Sequence, residues 1–126
     1  MNFNSILIGS EDPQRLVAYY TAVLGAPAFE GEGYASWTIG TGTVSVGPHS
    51  EVTGKSAQPG RVIWNIESED VKGDAERFKA AGAIVVAEPY LFEMEEAPPE
   101  FTAQPWIATF ADPDDNYFQL VSPMSA

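Results

Sequence analysis

The sequence predicts an α+β domain built from two βαβββ modules, whose curved mixed sheets surround a cleft. Three observations predict it. The order strand, helix, glycine, three strands occurs twice, near 3–47 and 61–121. Apolar residues recur at helical spacing in Leu16, Tyr19, Tyr20, Val23 and Leu24, and again in Val71, Ala75, Phe78 and Ala81. The stretch IATFADPDDNYFQLVSP, residues 107–123, alternates apolar residues on both sides of a turn, as a closing hairpin does. A repeated mixed unit is a strong sign of organisation. Module one spans 1–47, a linker 48–60, and module two 61–123.

In order, Phe3 to Ile8 reads as a strand. Ser10-Glu11-Asp12-Pro13 starts a helix, with Ser or Asp capping and Pro in the first turn. The helix runs to about Leu24, and Gly25 ends it. Ala28-Phe29, Tyr34–Ile39 and Thr43–Val46 are three short strands broken by glycines. The linker PHSEVTGKSAQPG is polar and rich in turn formers. Arg61–Ile66 restarts the pattern as a strand. Ser68 or Asp70 opens a second helix through Ala81, capped by Gly82. A strand follows at Ile84–Val86 and extends toward Phe92. FEMEEAPPEFTAQP, 92–105, is an acidic loop with three prolines. Trp106–Phe110 and Asn116–Val121 form the hairpin. A pocket is expected on the concave side, opposite the helices.

The 126 residues, 44% hydrophobic and 12% aromatic, suffice for one domain with a real core. Six basic side chains against 18 acidic ones give a net charge of −12. Such a surface repels phosphate backbones, so nucleic acid is not an expected partner, and it attracts cations. The absence of cysteine excludes disulfides, thiolate metal sites and cysteine nucleophiles. No basic region followed by an apolar run opens the chain, and no stretch is long and apolar enough to cross a bilayer. A cytoplasmic protein without a membrane partner is the expectation.

SILIGSEDPQRLVAYYTAVLGAP, with Asp12 before a helix, the pair Tyr19 and Tyr20, and Leu24-Gly25, resembles the opening of the vicinal oxygen chelate superfamily. That superfamily includes glyoxalase I, extradiol dioxygenases, fosfomycin-modifying enzymes and bleomycin-resistance proteins. IESEDVKGDAERFKAAGA is similar to the start of its second module, and WIATFADPDDNYFQLVSP to its end, where the usual turn is Asp-Pro-Asp-Gly-Asn. The resemblance implies a paired βαβββ fold, a homodimer, and in metal-dependent members four inward His and Glu ligands on one divalent ion. Open positions on such an ion polarise substrate oxygens. Carried over, the ligand positions fall at Ser5, Ile63, Gln119 and the stretch Val44–Val46. A hydroxyl, an amide and alkyl groups are poor donors for a tight divalent site. No cofactor is therefore expected, and a divalent metal stays as the alternative.

The remaining candidates come from residue chemistry. Gln119 sits between Phe118 and Leu120, where it either meets a ligand or satisfies a buried partner such as Asn65 or Ser5. His49, the only histidine, is the weak catalytic candidate, because imidazole titrates near neutral pH. Glu93, Glu95, Glu96 and Glu100 alternate with Tyr90, Phe92, Met94, Phe101 and Trp106. Carboxylates beside aromatic faces suit a cationic, planar ligand. Trp37 and Trp64 line either the cleft or the core. No phosphate loop and no nucleophile elbow appear. The reading is a metal-free protein that binds a small cationic or aromatic molecule, with Gln119, Ser5, Trp37, Asn65, Trp64, Tyr90, Phe92, Glu93, Met94 and Trp106 as ligand-binding candidates. The alternative is a lyase, isomerase or dioxygenase that uses a divalent metal or a His/Glu base.

Overall fold

A computed structural model of the protein describes residues 1–96, 98–99 and 105–123. Module one runs β1 (Ser5–Ser10), α1 (Pro13–Leu24), β2 (Phe29–Gly31), β3 (Tyr34–Ile39) and β4 (Gly42–Pro48). Module two runs β5 (Ile63–Glu67), α2 (Val71–Ala80), β6 (Ile84–Leu91), β7 (Trp106–Ala111) and β8 (Tyr117–Val121). Each forms a four-stranded sheet, in the orders β1-β4-β3-β2 and β5-β8-β7-β6. In each the first strand lies parallel to the last and the other pairs are antiparallel. Crossing from β1 to a parallel β4 requires a long connection, which α1 begins; α2 serves module two likewise. Among the described residues no helix is long and apolar enough to cross a membrane.

The helix starts share a device. Ser10 Oγ accepts from Asp12 N at 3.0 Å, and Ser68 Oγ from Asp70 N at 3.2 Å. The caps then differ. Asp70 accepts from Gly73 N at 3.0 Å, whereas Asp12 makes no side-chain cap bond and Pro13 begins the helix without a donor to satisfy.

One core joins the modules. Strand alternation sends Ile8, Ala35, Trp37, Val44 and Val46 from sheet one, and Ala108, Phe110, Phe118 and Leu120 from sheet two, into a single cluster with Leu16, Tyr20, Val23, Val71, Ala75 and Phe78 of the helices. Tyr20 lies between the sheets, with ring centroids 5.9 Å from Trp37, 5.7 Å from Phe118 and 6.1 Å from Trp64. The helix-bearing faces thus meet each other, and the opposite faces are open. Leu7, Phe29 and Tyr34 stay exposed in module one, and Ile84 and Tyr90 in module two.

The hairpin turn Asp112-Pro113-Asp114-Asp115-Asn116 bolts the modules together. Asp112 is fully buried and accepts from Tyr20 Oη at 2.8 Å, Asp114 N at 2.9 Å, Asn116 N at 3.0 Å and Asn116 Nδ2 at 2.9 Å. Asp114 accepts from Ser10 Oγ at 2.6 Å and pairs with Arg15. Tyr19 Oη donates to the Ala111 carbonyl at 2.8 Å and accepts from Ile84 N at 3.3 Å.

Two expected results follow from this turn. Asp115 holds φ +61°, at the position where the turn this hairpin resembles carries glycine. Asp115→Gly should stabilise by about 0.5 kcal/mol, the relief of left-handed strain less the entropy glycine adds to the unfolded chain, read in urea melts. Burial raises the Tyr19 phenol from 10.0 to about 12, with the Ile84 N–H opposing and the Asp112 charge adding. The native state therefore holds this proton longer than the unfolded chain does. The stability tied to it is complete below pH 10 and is lost as the pH climbs toward about 12. Tyr19→Phe should flatten the fall in stability across that window, measured by denaturant melts at stepped alkaline pH.

Candidate functional site

β1 and β5 are both edge strands, each paired on one side only. Beside them lies a cavity of about 460 Å³. Ile6, Val44, Val62, Ile63, Trp64 and Ile66 form most of its wall, and Ser5, Thr43 and Asn65 add two hydroxyls and an amide. Among the described residues none that lines it is charged. Thr43 is the Cα partner of Ser5 across the parallel β1–β4 ladder, so register alone brings these hydroxyl residues side by side. Trp64 stacks on Phe118 at 5.2 Å and lends one flank to the core and another to the cavity. Its buried Nε1–H finds no acceptor among the described residues.

Of the expected site residues, Ser5, Trp64 and Asn65 come together here. Gln119 is the Cα partner of Asn65 on β8 but does not line the cavity; its amide donates to Thr109 Oγ1 at 3.0 Å across the β7–β8 pair. The partner the sequence suggests for it, Asn65 or Ser5, is therefore replaced by Thr109. Trp37 sits on the helix side of β3, 3 % exposed, and donates Nε1–H to the Gly25 carbonyl at 2.8 Å. Tyr90 and Phe92 are exposed at the end of β6, Glu93 is exposed beyond it, and Met94 is half-buried. Trp106 carries the Lys72 ammonium 3.9 Å from its ring centroid. None of Tyr90, Phe92, Glu93, Met94 and Trp106 lines the cavity. Glu100 and Phe101 lie outside the described residues.

His49 is exposed just past β4, and its Nδ1 accepts from Glu51 N at 3.1 Å. Among the described residues no carboxylate pairs with it, and the Glu51 N–H is the group that holds its ring. The sequence reading missed Thr43 and Val62. The alternation within β4 was legible, but the β1–β4 register that sets Thr43 beside Ser5 was not.

The family model for the glyoxalase-like domain matches residues 5–121. The chain belongs to the glyoxalase-like family. No curated protein matches this glyoxalase-like chain. Solved structures share its fold. A glyoxalase-related enzyme from Fulvimarina pelagi is 19% identical, with a TM-score of 0.68 over 97% of this chain and 88% of that one. A glyoxalase/bleomycin resistance protein from Catenulispora acidiphila is 18% identical, with a TM-score of 0.67 over 97% and 96%. A glyoxalase/bleomycin resistance protein/dioxygenase from Nocardioides is 14% identical, with a TM-score of 0.72 over 97% and 83%.

The metal that this family's chelating members carry can be tested against the residues present. Val44 and Val46 are buried in the core, so the residue of that stretch on the open face is Ser45, whose Oγ lies 2.7 Å from Ser36 Oγ. The four positions in this glyoxalase-like domain then hold Ser5, Ser45, Ile63 and Gln119: two hydroxyls, an alkyl group and an amide that is already donating to Thr109. Among the described residues no group of three or more His, Asp or Glu side chains is arranged to hold a metal. Neutral donors this weak do not fit a divalent ion.

Proposed function

We propose that this glyoxalase-like protein binds a small apolar or aromatic molecule without a metal, in the cavity beside β1 and β5. The observation that carries this reading is the lining: alkyl groups and an indole, three neutral hydrogen-bonding side chains and, among the described residues, no charge. A cavity of that size with a few polar groups suits an organic ligand. The wall favours the aromatic half of the expected ligand over the cationic half. The net charge of −12 would draw a cation toward the molecule, but among the described residues no carboxylate waits in the wall to receive it. The open sheet faces, with Leu7 53 % and Tyr90 42 % exposed, support a homodimer in which a second copy covers them.

The test has two parts. The protein, purified without chelator or metal-affinity resin, should contain no stoichiometric metal, and Ni, Zn, Mn, Fe(II) and Mg should leave its melting temperature unchanged. An uncharged aromatic probe, N-phenyl-1-naphthylamine, should bind saturably and should lose affinity in Thr43→Trp, which fills the cavity. A bound metal at one equivalent overturns the metal-free reading. Probe binding indifferent to Thr43→Trp overturns the site. Light scattering on the eluting peak decides the dimer.

A further inference from the structure

The segment between the modules does more than connect them. Residues 51–56 fold back over β1 and are tied at two points: Gly54 N donates to Glu11 Oε2 at 2.7 Å, and Ser56 N donates to the Asp114 carbonyl at 2.8 Å. Between this strap and the strands lies a second cavity, also of about 460 Å³. Its apolar wall comes from Ile6, Ile8, Val52, Val62 and Trp64, and Lys55 stands in the strap itself.

Lys55 is unlike the other basic residues. Arg15 pairs with Asp114, Arg77 with Asp74, and Lys79 with Glu76 and Glu88. Arg61 bonds Gln58, and Lys72 sits on Trp106. Only Lys55 lacks any such partner among the described residues, in a chain with 18 carboxylates. The two carboxylates nearest in the lining do not supply one. Asp114 is engaged by Ser10 and Arg15, and Glu51 lies in the strap without an ion pair to Lys55. Trp64, whose buried Nε1–H has no acceptor among the described residues, lends part of its ring to this wall. An ammonium unpaired among the described residues, beside an apolar wall, complements a molecule that brings acceptor oxygens and an apolar body.

We propose that the cavity beneath residues 51–56 is a separate binding site for a small monocarboxylate, its apolar body against β1 and Val62 and its charged end at Lys55. The cavity shares Ile6, Val62 and Trp64 with the uncharged one, but Lys55 lines only the first and Ser5, Thr43 and Asn65 only the second, so substitutions at Lys55 and Thr43 tell the two proposals apart.

Calorimetric titration with 3-phenylpropanoate and with its uncharged amide tests it. The carboxylate should bind the intact protein about fivefold more tightly than the amide, the upper range for an exposed ion pair. Lys55→Met should erase that preference. Lys55 is exposed and makes no ion pair among the described residues, and a melting curve confirms that the variant is folded. Thr43→Trp, which fills the other cavity, should leave carboxylate binding unchanged. Equal affinity for acid and amide, a preference that survives Lys55→Met, loss of binding in Thr43→Trp, or no saturable heat with either compound each overturns the proposal.

Discussion

Asp112→Ala is expected to destabilise the protein by about 4 kcal/mol, the cost of leaving several buried donors unpaired at once. The carboxylate is the only acceptor in its turn for the Tyr20 hydroxyl, the Asp114 and Asn116 amides and the Asn116 side chain. Alanine leaves the Tyr20 and Asp114 donors facing protein, not water, while half-buried Asn116 keeps some access to solvent. For a chain of this size the loss lowers the melting temperature by about 15 °C. Urea melts read it directly, and a double-mutant cycle isolates one part. Tyr20→Phe should cost about 1 kcal/mol in the parent and close to nothing in the Asp112→Ala background, since the bond is already gone. A cost that persists in that background would assign the stability of Tyr20 to its ring alone. The charge on Asp112 acts in the other direction. Burial raises its carboxyl above the ordinary value, although the Asn116, Tyr20 and Asp114 donors oppose that shift. The native state binds this proton more tightly than the unfolded chain, so its contribution is greatest below the ordinary carboxylate range and declines as the pH rises through it.

Phe118→Ala is expected to cost about 4 kcal/mol, within the range for truncating a buried aromatic ring. Phe118 is fully buried and lies within 5.2–6.4 Å, centroid to centroid, of Tyr19, Tyr20, Trp64, Phe78 and Phe110. These rings come from both helices and from sheet two, so the space left by alanine cannot be filled by shifting one element. Phe118→Leu should cost under half as much, because the branched chain refills most of the volume. Equal losses for the two variants would mean that ring–ring geometry, not volume, holds the junction.

The module repeat, both helices and all eight strands were legible in the sequence, because each rests on local periodicity and on glycine or proline punctuation. Boundaries moved where long-range pairing decides them. β1 ends at Ser10, beyond Ile8, because it pairs with β4 through Pro48. β6 runs to Leu91 despite Pro89, as an edge strand with shifts in register allows. The site was less legible. Trp37 and Trp64 carry the same chemistry in similar strands, yet one is core and the other borders two cavities. That difference comes from how the modules pack, which periodicity does not encode. The linker reads as solvated from composition, and only the bonds from Gly54 and Ser56 to distant residues reveal that it forms a wall. Gln119 shows the limit most clearly: its position in the strand was evident, and its partner Thr109 required the β7–β8 register.

The bonds of the closing turn join residues far apart in the chain: Ser10 and Asp114 are separated by 104 positions, and Tyr20 and Asp112 by 92. During synthesis the first helix therefore emerges with only Trp37 soon available to cover Tyr20, long before Trp64 and Phe118. The nascent first module carries a half-covered aromatic stripe, and its native burial waits for Phe118 and Leu120 to leave the ribosome. Contacts so distant in sequence make assembly slow and late. A ribosome stalled before the final hairpin should accordingly hold a chain that proteases and chaperones still recognise as unfinished.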